Sequence, residues 1–179
     1  MVPAQRQIAY SYSSLSLKDI KSLLTSRIHE HRLAALVILV GQYQKSDEHG
    51  KKKIADFYIA HAACINNCDL VDLSALHILC DYCYEDPAIL YRLTASDNLR
   101  ERRMSIMATF AFIRKGRFKE PLEIAERLLH DRHDLIHKAV DWMLKEIGKM
   151  HILRQKEISS KARARYTPHH AEICDTTVS

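Results

Sequence analysis

Apolar residues recur along this chain at spacings of three and four, and the alternation that marks strands is missing, so the pattern predicts one helix after another. Ser16-Leu17-Lys18-Asp19 resembles a capping box with Asp in place of Glu, and it opens a helix showing Leu17, Ile20 and Leu24 on one face. The longest apolar run, Leu33 to Val40, belongs to a helix expected from about Glu30 to Gly41. Ile54, Phe57 and Tyr58 mark a further helix, and the stretch from Asp72 to Leu79 another. Pro87 begins a short helix carrying Ile89, Leu90 and Leu93. Ser96-Asp97-Asn98 is a polar break before a helix that should end at Lys115-Gly116. Pro121 fits the first turn of the next, whose expected stripe is Leu122, Ala125, Leu128 and Leu129. The last strong helix spans Leu135 to Gly148, with Ile136, Ala139, Val140, Met143, Leu144 and Ile147 facing the core. Helix pairs of this length without strands predict an all-α fold, an α-solenoid of HEAT-like repeats. A compact irregular bundle is the alternative, because no strict sequence period is present.

Two charged residues break the apolar faces. The positions three, four and seven after Asp72 are Ala75, Leu76 and Leu79, so its carboxylate projects from an apolar stripe, which is costly unless donors or a cation meet it. Arg103 stands in the same relation to Ile106, Met107 and Phe110. The two should converge within salt-bridge reach, or across one water, on the concave side. Spacing alone favours a structural ion pair between packed helices over a reactive site. Trp142, the one tryptophan, lies off its helix's core stripe on the side of Lys138 and Lys145, a combination that suits stacking on a base or sugar with lysines on phosphates. Packing against a neighbouring repeat is the commoner use of such a ring. Arg100, Arg102, Arg114, Lys115, Arg117 and Lys119 add a basic stretch, in the simplest case a solvated face.

The 179 residues suffice for one domain with its own core, and the net charge of +5 leans toward an anionic partner. No segment approaches the roughly 20 apolar residues of a membrane span. Five cysteines, an odd number, and the lack of a signal peptide suggest a reducing cytoplasm. Cys80-Asp81-Tyr82-Cys83 has C-x-x-C spacing but no second pair, and reads as a helix end. His130, His133 and His137 could share a side, yet the Asp131–Asp134 loop should interrupt them, so no metal site is expected. His29-Glu30-His31 lacks the i,i+4 pair of zinc peptidases, and no phosphate loop or Ser or Cys nucleophile motif occurs.

Four segments, in order, carry a resemblance: Ile28 to Leu36; Asn66-Asn67-Cys68-Asp69-Leu70-Val71-Asp72; Asn98-Leu99-Arg100-Glu101-Arg102-Arg103; and His133 to Leu144 with Trp142 inside it. Over about residues 2–148 the chain resembles the bacterial DNA alkylation repair family of AlkD-like glycosylases. The resemblance implies an α-solenoid gripping duplex DNA in a concave basic face and removing N3- and N7-alkylated purines, as a monomer associated with the bacterial nucleoid, with no metal or cofactor. The family's catalytic aspartate falls on Asp72, its cleft arginine on Arg103, and one DNA-facing tryptophan on Trp142. Asp72 would stabilise positive charge on the sugar and orient a water, while Arg103 would pair with it and meet a phosphate. The other cleft tryptophan falls on Cys68; a tryptophan before the Glu-Arg-Arg motif is Arg100 here, and a glycine before Trp142 is Asp141. The expected DNA-binding set is thus Trp142, Cys68, Lys138, Lys145 and Arg100. Residues 1–150 are expected to form the repeat domain without the family's first helices. Residues 151–179, with Arg163, Arg165 and Pro168-His169-His170, are read as a divergent polar tail, partly helical or disordered. A non-catalytic helical-repeat module binding DNA or protein is the alternative function.

Overall fold

The computed structural model describes residues 11–165 apart from Ser13; residues 1–10 and 166–179, with the Pro168-His169-His170 run, lie outside the described residues. Every regular element among them is helical: α1 (Leu17–Leu24), α2 (His29–Lys45), α3 (Glu48–Ala60), a 3-10 turn (Ala62–Cys64), α4 (Cys68–Glu85), α5 (Ala88–Thr94), α6 (Leu99–Ala108), α7 (Phe110–Arg114), α8 (Lys119–Leu128) and α9 (Asp134–Arg165). Three of the starts have a side-chain cap. Ser16 accepts from the Asp19 N–H, Asp47 from Gly50 and Asn98 from Arg100, satisfying amides that a helix N-terminus leaves free.

The helices pair as α1/α2, α3/α4, α5/α6 and α8/α9, and the second members stand side by side, α2 on α4, α4 on α6, α6 on α9. The first members back this row. This is the layout of an α-solenoid, in which each pair buries its apolar face against the next. The core threads between the two rows, from Ile20 and Leu24 through Leu36, Leu39, Tyr58 and Ile78 to Met107, Phe112 and Met143. Fully buried Tyr58 shares a hydrogen bond of 2.7 Å with Ser74 Oγ, which pins α3 to the back of α4, and burial pushes its hydroxyl pKa up.

Several expectations change. Helix α2 runs past Gly41 to Lys45 because Tyr43 is buried and glycine only weakens a helix interior. The Arg103 helix comes in two pieces, broken at Thr109, whose hydroxyl donates to the Ile106 carbonyl at 2.6 Å. Its second piece ends as expected: Gly116 has φ 75°, its N–H meets the Ile113 carbonyl, and Arg117 N–H meets Phe112, a Schellman close. On α8 the buried apolar set is Pro121, Ile124, Ala125 and Leu128; Leu122 and Leu129 are exposed, about 100° round from the wedge facing its neighbours. Leu144 is likewise exposed. Helix α9 continues past Gly148 to Arg165, since a lone glycine does not stop a helix and no proline follows until Pro168. No helix among the described residues is long and apolar enough to cross a membrane.

Candidate active site

Asp72 lies in the second turn of α4, about 160° round the helix from Ser74, so it faces away from α3 and toward α6. There it meets Arg103. Nε donates to Oδ1 at 3.0 Å and NH2 to Oδ2 at 2.8 Å, a fork-to-fork pairing that fixes the carboxylate plane. The third guanidinium nitrogen, NH1, donates to the Leu135 carbonyl in the first turn of α9. Arg103 therefore ties three successive repeats together. Its side chain is 8 % exposed and that of Asp72 31 %, so the arginine is the buried half and the carboxylate the accessible one. Arg103 thus acts on Asp72 and the α9 backbone rather than reaching outward. An acceptor fixed in place and still partly exposed can orient a water and oppose positive charge.

The neighbouring residue, Arg102, makes a second clamp that the sequence reading missed. Its Nε donates to Asp131 Oδ2 at 2.6 Å and NH1 to the Ser96 and Asp97 carbonyls, both at 2.9 Å. Asp131 also accepts the His133 N–H at 2.9 Å, and its own carbonyl meets the His137 ring. Burial raises the Asp131 pKa, but the bonds from Arg102 and His133 and their charge outweigh it, and the value is lowered overall. The clamp holds the start of α9, the backbone that receives Arg103. Nothing in the sequence distinguished Asp131 from a loop aspartate. A third bridge joins the first two repeats: His29 Nε2 lies 3.1 Å from Asp69 Oδ2, and Asn67 Nδ2 lies 3.1 Å from its Nδ1.

The remaining expected residues fall at the same ends of the second-helix row or along α9. Cys68 is the first residue of α4, half-buried, one turn before Asp72. Arg100 donates from NH2 to the Asn66 carbonyl at 2.7 Å, bracing the loop that leads into α4. Trp142 is 38 % exposed with Lys138 and Lys145 on the same face of α9. Lys145 is not free, because Asp141 meets it at 2.6 Å.

A family model described as DNA alkylation repair enzyme matches residues 1–160. The chain belongs to that family. This membership places the protein in the repair of alkylated DNA, with DNA as the partner the family's activity implies. Comparison with curated proteins and with solved structures finds no match.

Two candidate chemistries do not assemble. Cys80 and Cys83 are buried in α4, and burial pushes the Cys80 thiol up to about 12 and that of Cys83 higher still, so neither is a ready nucleophile. Among the described residues no group of three or more His, Cys, Asp or Glu could hold a metal ion, and His137 is spent on the Asp131 carbonyl.

Proposed function

We propose that the protein is a DNA glycosylase that hydrolyses the N-glycosidic bond of N3- or N7-alkylated purines in duplex DNA. The Asp72–Arg103 pair carries this reading: a carboxylate locked in bidentate geometry yet open on one side, in a chain of the alkylation repair family. Alkylation at N3 or N7 leaves the purine cationic, so its bond to the sugar is already weakened. Little more is needed than an anion beside the sugar as positive charge develops and an acceptor to direct a water to the anomeric carbon. Asp72 serves as both. Arg103 holds it in place, and by anchoring on Leu135 sets the start of the helix that presents Trp142. Trp142 packs on the sugar-phosphate backbone beside the lesion, and Lys138 and Lys145 meet phosphates. The test is release of 7-methylguanine from a duplex by this chain and by Asp72→Asn. Release by the native chain, falling about 100-fold or more in the variant at similar DNA affinity, is the expected result. Equal release by both would remove Asp72 from catalysis. No release by either, with binding intact, would favour the second reading, a non-catalytic DNA-binding module, for which Cys68 in place of a cleft tryptophan speaks.

A further inference from the structure

Past the Asp72 site, the later turns of α4 border charge that the glycosylase reading has not used. Beyond Leu76, one turn after Asp72, a cavity of about 540 Å³ opens between α4 and the ends of α2 and α7. Leu76, Cys80 and Phe110 give it an apolar lining, and Lys51, Arg114 and Lys115 outnumber its one carboxylate, Asp81. Arg114 and Lys115 are exposed, and neither has a carboxylate within ion-pair distance among the described residues. Aromatic rings hold them instead. Lys115 Nζ lies 3.6 Å from the Tyr84 ring centroid, and the Arg114 guanidinium 5.9 Å from that of Phe110. A ring face positions a cation without cancelling its charge. An adjoining depression of about 680 Å³ shares Lys51, Asp81 and Lys115 with the cavity and adds Lys52, Glu48, Glu85 and Asp86; its four carboxylates outnumber its three lysines, which makes it the less favourable side for a polyanion.

We propose that Arg114 and Lys115 receive consecutive phosphates of the DNA strand opposite the one whose glycosidic bond lies at Asp72. This rests on the glycosylase reading and adds the second strand to it. Spacing favours the opposite strand. From Asp72 to the residues of α4 that line the cavity, Leu76 to Asp81, the axial rise is about 6–14 Å at roughly 1.5 Å per residue. The minor groove, where purine N3 lies, is about 6 Å wide. A carboxylate at one backbone, and a basic cavity that begins at Leu76 about one groove width along α4, can face the two strands. The apolar lining between them suits deoxyribose, and backbone contacts of this kind set register without reading sequence.

The test uses the full chain in an Asp72→Asn background, so that a duplex containing one 7-methylguanine keeps a fixed register. Anisotropy titrations across a salt series give the log–log slope, expected near −0.9 per phosphate neutralised. Adding Arg114→Ala and Lys115→Ala should make the slope shallower by about 1.8, for two phosphates. Neutral methylphosphonates at two adjacent opposite-strand positions should do the same to the Asp72→Asn protein, with no further loss when the triple variant meets the modified duplex. Circular dichroism melting checks that the exposed substitutions leave the fold intact. A steep slope unchanged by the two substitutions overturns the inference and leaves the glycosylase reading standing. The same outcome follows if methylphosphonates on the lesion-bearing strand, and not its complement, absorb the effect. Absence of duplex binding at low salt overturns both together.

Discussion

At the scale of single residues, the unequal exposure of Asp72 and Arg103 decides what each can do. Removing the arginine strands a carboxylate beside apolar neighbours and releases the Leu135 carbonyl at once. Arg103→Ala should therefore cost about 3 kcal/mol in chemical denaturation, the lower end for breaking a buried pair because Asp72 is partly solvated. A loss under about 1 kcal/mol would show that the pair is not a structural anchor. Cys68 bears on activity rather than on stability. It stands one turn before Asp72, and an aromatic there would flank the same groove. Cys68→Trp should raise purine release by about fivefold or more, since stacking is worth about 1–3 kcal/mol. The gain should disappear in the Cys68→Trp, Asp72→Asn double variant; a gain that survives would place its origin outside the Asp72 site.

At the scale of elements, three of the second-row helices share a device at their start. The fourth helical residue bonds the carbonyl three residues ahead of the helix: Arg32 to Ser26 at 2.8 Å, Arg102 to Ser96, His137 to Asp131. In α4 the position is Val71, which has nothing to donate. Arg102 alone extends the hook into a clamp, because Asp131 stands at the matching place before α9; before α4 that place is Ile65, and Arg32 Nε stays buried without an acceptor. The clamp therefore concentrates at the junction that carries Arg103. It predicts a pH dependence. The Asp131 pKa is depressed in the fold, so its contribution is fully present above the unfolded value of about 3.9 and is lost as pH falls through the folded value. Denaturation from neutral pH to about pH 3 should show a steeper acid loss in the native chain than in Asp131→Asn. Parallel curves would show that the clamp is not linked to folding.

At the scale of the whole molecule, basic side chains stand both on α9 and at the cavity beside α4. The exposed side chains on α9 include Lys138, Lys145 and Trp142, but Asp141 neutralises Lys145 locally. Lys138→Ala should consequently flatten the salt dependence of duplex binding by about 0.9, one phosphate, and Lys145→Ala by less. Asp141→Gly should steepen it by freeing Lys145. Identical effects of the two lysine changes would mean that DNA displaces Asp141 from its pair, and salt-independent affinity would point to a protein partner in place of DNA.

Apolar spacing, cap residues and turn glycines are local properties, so the helix succession, the Ser16 and Asn98 starts and the Gly116 close were legible in the sequence. So was the conflict at Asp72 and Arg103, because a charge on an apolar stripe demands a partner wherever the helix packs. What spacing could not give was which neighbours arrive. Leu122, Leu129 and Leu144 fit a periodic stripe yet stay exposed, because burial depends on which sides of a helix other helices cover. The Leu135 carbonyl became an anchor, and Asp131 a clamp, only because helix stacking brings the start of α9 against α6; these contacts join residues about thirty positions apart, and no local rule reaches that far.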